Sequence, residues 1–326
     1  MEVGFLVDAS PLIGHGHVMR CAAIADEVAS RDWTPMFVPR GSYAKDLVLK
    51  SGLPIGSDGH AFDFAVIDYH SSIDPNLVTS LRRKGSSIVF IDDRGRLNDL
   101  ANLICDAFKL PNWDMNQPEN NAGRMLFGLN YAILRRQFRE YHSSAQPGRS
   151  NTPRVLIALG GVDPHQISFQ VAQALNAVGF RGPAIFVVEE GQVSRLQAVV
   201  DNWSDCQVLS NVVNMAPLMA GCDLVVTKIG VTALEAFCVG VGTAMIEPTR
   251  LHVDLSEQLA SSYTGWPSSH LGLAGEVDFV TVAEQILSLL ADKEFLSRQG
   301  EVGSLLIDGK GAERIVSRMQ MLRALP

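Results

Sequence analysis

Residues 13 to 21 read IGHGHVMRC, two glycines, two histidines and an arginine set just after the apolar run VGFLV at 3 to 7, with Asp8 at the junction. Glycine permits positive φ and lets a ligand approach the backbone closely, so Gly14 and Gly16 suit a loop that closes on an anion. His17 is expected in the first turn of the helix that follows. There the positive end of the helix dipole favours a neutral imidazole, which can take a proton from water. The duller alternative is that His17 only caps that helix. His15 reads as structural or solvated, and Arg20 follows His17 by three residues.

Other stretches carry similar residue types. IDYH places Asp68, Tyr69 and His70 at the end of an apolar run. Tyr69 and His70 are candidate substrate contacts, while Asp68 reads either as a polar group reaching a ligand or as the cap of the next helix. IDDRGR at 91 to 96 pairs two carboxylates, but no further ligands stand at metal-binding spacing, so a turn is expected. ALGGVDPH offers Gly160 and Gly161, either for amides facing a diphosphate or for a tight turn. In TKIGVTALEAF, Gly230 and Thr232 open a helix and Glu235 lies one turn on. A carboxylate there could accept both hydroxyls of a ribose, or simply face solvent.

Strand and helix patterns alternate around these stretches. VGFLV, TPMFV, FAVID and IVFID, each separated by helical spacing, predict a parallel sheet covered on both faces. At 141 to 154 the chain turns polar, YHSSAQPGRSNTPR, the composition of a linker. RVLIAL, AIFVV, CQVL, DLVVT and GTAMIE then repeat the pattern, and from Val280 onward only helices are expected. The fold class is therefore α/β, with domains at 1–145 and 146–326, the second carrying the terminal helices. In open parallel sheets ligands bind beyond the carboxyl ends of the strands, and that rule picks out Asp8 to His17, Asp68 to His70, GGVDPH and TKIGVTALE.

Composition narrows the function. A chain of 326 residues, 47% hydrophobic and 19% charged, supports a large core. Its net charge of -8, without basic runs, argues against a nucleic-acid partner. No apolar run is long enough to span a bilayer, and the start MEVGFLVDAS lacks the basic region of a leader, so a cytoplasmic protein without membrane insertion is expected. Five scattered cysteines form no CxxC pair, and a monomer is the expected state.

Together, VDASPLIGHGHVMRCAAIADEVASR, VIDYH, FGLNYAILRRQF, LGGVDPH, NMAPLMAGCDLVV and DGKGAERI resemble, in order along nearly the whole chain, the UDP-2,4-diacetamido-2,4,6-trideoxy-beta-L-altropyranose hydrolases of pseudaminic acid biosynthesis and related spore-coat polysaccharide proteins. The resemblance implies two Rossmann-like domains facing across a cleft, as in the GT-B glycosyltransferases, and a UDP-linked sugar as substrate for hydrolysis; the alternative is a GT-B glycosyltransferase that uses the same nucleotide-sugar cleft. It implies His17 as the base that activates water for inverting attack at C1, with Asp8, Gly14, Gly16, Arg20, Asp68, Tyr69 and His70 facing the sugar. Gly160, Gly161, Asn214, Met215, Gly230, Thr232, Glu235 and Gln258 would hold the nucleotide, with no metal and no cofactor. The chain departs from the family where Lys228 and Ile229 replace small residues. In RLHVDLSEQLA, Gln258 alone matches an Asn-Gln pair of the relatives.

Overall fold

The structure is a computed structural model that describes residues 1–10, 14–57, 59–70, 72–91, 98–109, 124–144, 152–160 and 163–324. The chain divides into two compact units, Met1–Arg136 with Gly309–Pro326, and Gln137–Asp308.

Among the described residues the first unit holds six parallel strands, β1 (Glu2–Asp8), β2 (Thr34–Arg40), β3 (Phe64–Asp68), β4 (Ser87–Ile91), β5 (Leu103–Asp106) and β6 (Met125–Phe127), in the order β2-β1-β3-β4-β5-β6. Strand side chains alternate between faces, and both faces here are apolar. Val3, Phe5 and Val7 of β1, with Phe64 and Val66 of β3, pack under the helix Gly16–Ala29. Leu6, Ala65 and Ile67 point the other way, toward Val78 and Leu81 of the helix Pro75–Arg83. By the same alternation Asp68 falls on the face of Phe64 and Val66, beneath the helix that begins with the His17 loop. The order of strands reverses between β1 and β3, the position where such sheets place ligands.

The second unit repeats the design with β7 (Val155–Ala158), β8 (Ala184–Val187), β9 (Cys206–Leu209), β10 (Leu224–Thr227), β11 (Gly242–Glu247) and β12 (Ser269–Leu273), again all parallel, in the order β12-β11-β10-β7-β8-β9. This is the doubly wound order of dinucleotide-binding domains, with its reversal between β7 and β10. Val155, Ile157, Leu224, Val226, Ala244 and Ile246 face helices Ile167–Ala177 and Phe279–Ala291. Thr227 and Glu247 alternate to the opposite face, and both are fully buried.

The division differs from the expected 1–145 and 146–326. The chain joins the second unit at Gln137, where the Cys238 Sγ–H donates to the Phe138 carbonyl, the Ser143 amide to the Cys238 carbonyl, and His142 Nε2 to the Ser304 carbonyl. Nor does the last helix, Gly311–Ala324, stay with the second unit. Its Ala312, Ile315, Val316 and Met319 complete the first core, and Gly311 lies so close to Ala132 that a Cβ would meet the carbonyl oxygen at 2.0 Å. Three strands, β5, β6 and β12, were not legible as apolar runs. Among the described residues no helix is long and apolar enough to cross a membrane.

Candidate active site

The first loop cluster is built by the helix Gly16–Ala29. Gly14, at φ +82°, turns the chain and donates its amide to the Ser10 carbonyl at 2.8 Å, and His15 occupies the cap position without a side-chain cap bond. Gly16 is not at positive φ, contrary to the expectation for both glycines. It is the exposed first residue of the helix, and open space surrounds the position its Cβ would take. His17 is the second helical residue, so it does not cap the helix. His15 turns to the hydroxyl of Tyr43, 2.9 Å away.

His17, Arg20 and Cys21 stand at i, i+3 and i+4, one face of the helix, and that face lies over the end of β3. Asp68, 0% exposed, accepts from all three. His17 Nδ1 lies 2.6 Å from Oδ1, Arg20 Nε donates to Oδ2 at 2.5 Å and Arg20 Nη2 to Oδ1 at 2.6 Å, and the Cys21 thiol is 3.7 Å from Oδ2. Burial alone would raise the Asp68 pKa, but the Arg20 guanidinium and the hydrogen bonds from Arg20 and His17 outweigh it and hold the carboxyl below its usual range. Burial first, then the Asp68 charge, pushes the Cys21 thiol well up, so it is not a nucleophile.

An ionised carboxylate only accepts hydrogen bonds, so Nδ1 of His17 carries the proton that faces Oδ1. The 3.1 Å approach of Arg20 Nη2 to Nδ1 is then two donors converging on one oxygen, not a bond between them. In the neutral ring Nε2 is then the lone-pair nitrogen, on a side chain that is 14% exposed. This is the wiring of a general base held in one tautomer by a buried carboxylate.

Two expected roles change. Asp68 does not cap the next helix, whose cap is Asp74; it is buried and hydrogen-bonded to His17 and Arg20. Arg20, expected to face the sugar, spends its fork on Asp68. Asp8, 5% exposed at the end of β1, accepts from the His70 amide at 2.9 Å. That bond sets the loop so that the exposed His70 ring meets His17 edge-on, centroids 6.0 Å apart. Tyr69 is half-buried under the Arg40 guanidinium.

In the second unit, Gly160 follows β7 at φ +95°, and Gly161 lies outside the described residues. Gly230 caps the helix Val231–Val239, which carries Thr232 at its start and Glu235, 7% exposed, on its second turn. A solvent-facing Glu235 is thereby excluded. A Cβ on Gly160 would lie 4.0 Å from Thr232 Oγ1 and 3.6 Å from Cε of Lys228, so these three converge at the reversal point of the sheet. Asn214 is exposed and Met215 buried, just ahead of the short helix Ala216–Ala220, which packs on Val231–Val239. Gln258 is exposed on the helix Arg250–Ser262. It stands six residues past His252, about 9 Å along the axis and on another side of that helix.

Sequence reasoning missed Glu247, the last residue of β11. It is 0% exposed, and both its oxygens accept from the Ile229 amide, at 3.2 and 3.1 Å. Burial lifts its carboxyl to about 7 against the Ile229 bond and the Lys228 charge. Burial likewise lowers Lys228, against the charges of Asp163 and Glu247. His252, bonded through Nδ1 to the Thr249 hydroxyl at 2.7 Å, is lowered by burial, then by Lys228 and His165. A carboxylate closing an apolar strand, GTAMIE, was the signal available for Glu247. Among the described residues no group of three or more His, Cys, Asp or Glu is placed to hold a metal ion.

No protein-family model matches the chain. It is 24% identical over 286 residues to an uncharacterised protein of Methanocaldococcus jannaschii, covering 77% of this chain and 56% of that one. It is 25% identical over 206 residues to the spore coat polysaccharide biosynthesis protein SpsG of Bacillus subtilis, covering 61% and 59%. The chain thus spans little more than half the length of these relatives. Among solved structures it superposes on Acinetobacter baumannii MurG with a TM-score of 0.68 at 14% identity, covering 98% of this chain and 100% of that one. A UDP-GlcNAc 2-epimerase of Neisseria meningitidis bound to UDP-GlcNAc gives 0.60 at 10% identity, covering 98% and 100%. The fold is the pair of Rossmann-type domains of the GT-B class.

Proposed function

We propose that the protein is a nucleotide-sugar hydrolase that takes a UDP-linked deoxy amino sugar to free sugar and UDP, for nonulosonic acid or surface polysaccharide synthesis. The observation that carries this reading is His17, whose Nδ1 lies 2.6 Å from the buried Asp68 carboxylate, so that Nε2 is the nitrogen that can take a proton from water. SpsG supports the setting by its named process, and the Neisseria epimerase shows a UDP-sugar bound on this fold.

The chemistry is one displacement. A water oxygen forms a bond to C1 while its proton passes to His17 Nε2, and the C1–O bond breaks with its electron pair going to the diphosphate oxygen. Asp68 stabilises the imidazolium so formed, and Arg20 keeps Asp68 ionised. His70 and Tyr69 border the sugar. In the second domain, Gly160, Gly161 and the start of the helix Val231–Val239, with Gly230 and Thr232, bind the departing diphosphate. Glu235 takes the ribose, and Asn214 and Met215 flank the base. The product inverts at C1, because attack and departure occur on opposite faces.

The test is incubation of the protein with UDP-, GDP- and CMP-sugars without an acceptor. Release of free sugar together with the nucleotide, lost in folded His17→Ala and His17→Phe, is the expected result. Turnover that appears only when an acceptor alcohol is added would make the protein a transferase and sink the hydrolase reading.

A further inference from the structure

Lys228 has no part in the site as the sequence presented it, yet it stands where the second sheet reverses. It follows the last residue of β10, beside the end of β7. A Cβ on Gly160 would lie 3.6 Å from its Cε and 3.8 Å from Nζ, with Thr232 Oγ1 at 4.0 Å. The ammonium is thus suspended over a turn whose φ of +95° calls for glycine, at the start of a nine-residue helix.

The amine is half-buried, and among the described residues it makes no hydrogen bond or ion pair. The carboxylates that act on it are engaged elsewhere. Asp163 accepts from the Ile167 and Ser168 amides at 3.0 and 2.8 Å, and Glu247 accepts on both oxygens from the Ile229 amide. His252 and His165 add imidazoles to the same neighbourhood. An ammonium withdrawn from water without a contact partner costs free energy that an anionic ligand would recover. The open backbone at Gly160, the Thr232 hydroxyl and a cation held between them suit an extended, doubly charged group.

We propose that Lys228 is the specificity-determining ligand of the diphosphate, bonding the phosphate oxygens over Gly160 and Thr232, with the carboxyls of Asp163 and Glu247 nearby but not in contact with the ammonium. This assignment rests on the nucleotide-sugar reading for the identity of its ligand. It adds that the second domain grips the substrate by a side-chain charge as well as by amides and a helix terminus. Charge accumulates on the diphosphate as the C1–O bond breaks, so Lys228 also favours departure.

Calorimetric titration of the full chain with UDP, inorganic pyrophosphate and uridine tests it, in wild type, Lys228→Met and Lys228→Gln. Thermal melting confirms that each variant is folded. One charge-assisted bond lost corresponds to about tenfold or more in affinity. Both variants should therefore lose that factor for the phosphorylated probes that wild type binds, and keep uridine affinity within about twofold. Variants that bind UDP and pyrophosphate as wild type does would overturn the proposal, as would a wild type that binds neither. Lys228-dependent binding of pyrophosphate with no binding of UDP would uphold the anion site and instead bring down the nucleotide-sugar reading.

Discussion

Asp68→Asn keeps the shape of the side chain and removes its charge. The buried carboxylate receives His17 Nδ1 and Arg20 Nη2 on Oδ1 and Arg20 Nε on Oδ2, at 2.6, 2.6 and 2.5 Å. An amide has one oxygen for these two sites. If its NH2 takes the Oδ2 position it opposes the Arg20 Nε–H. If it takes the Oδ1 position it opposes Arg20 Nη2 and makes His17 Nδ1 an acceptor, which moves the imidazole proton to Nε2 and removes the base. Either way Arg20, 12% exposed, loses the buried carboxylate it pairs with, and breaking a buried ion pair from one side costs about 3–5 kcal/mol. Urea denaturation at pH 7 should show a loss of about 3 kcal/mol in the transition of the first domain, and hydrolysis should fall about 10²–10⁴-fold, the range for a general base. Because the folded Asp68 pKa is depressed, its stabilisation is present above the unfolded value of about 3.9 and is lost as pH falls through the folded one. The gap between variant and wild type should therefore close in acid. Nitrogen-15 spectra of wild type should show a protonated Nδ1 and a bare Nε2 on His17. A variant within about 0.5 kcal/mol of wild type at pH 7, the size of an ordinary surface change, with an unchanged tautomer, would refute the Asp68–His17–Arg20 coupling.

Glu247 is the opposite case, a carboxyl raised to about 7 in the folded protein, so the unfolded chain gives up its proton first and stability falls as pH rises from about 4.5 to 7. Glu247→Gln should remove that slope and raise the melting temperature at pH 8, by an amount corresponding to at most about 3 kcal/mol; an unchanged pH profile would contradict the burial of the charge. Gly14→Ala should cost about 1–2 kcal/mol because φ is +82° there, measured by denaturation, whereas Gly16→Ala, with open space at its Cβ, should leave stability nearly unchanged. Thiol titration at pH 7.5 should find the native protein slow to react, with half-buried Cys206, pushed to about 11, first and Cys21 among the last.

Much of the fold was legible because nine of the twelve strands among the described residues are apolar runs cut off by helical spacing. The three missed ones explain themselves. β6 is only three residues long, β5 is preceded among the described residues by a 3-10 turn, Asn98–Leu100, and β12, SHLGL, mixes polar residues and glycine with its apolar ones. The last helix carries an amphipathic pattern that says it packs, but not on which core. The site was legible in its local part, since Gly14, His17 and Arg20 lie within one loop and one helix turn. What joined them was not, because Asp68 is 51 residues from His17 and reaches it only through the adjacency of β1 and β3. The same holds for Lys228, whose meeting with Gly160 depends on β10 lying beside β7. Burial was not legible either: that Asp68 is enclosed under Arg20 and that Glu235 is buried depends on packing between distant segments.

The most direct test of water attack at C1 is turnover of a UDP-sugar in oxygen-18 water, without acceptor, followed by mass spectrometry of both products. One labelled oxygen on the anomeric hydroxyl of the sugar at early times, none in UDP, and no turnover in His17→Ala is the expected result. Label in the diphosphate, or no turnover until an acceptor is supplied, would contradict it.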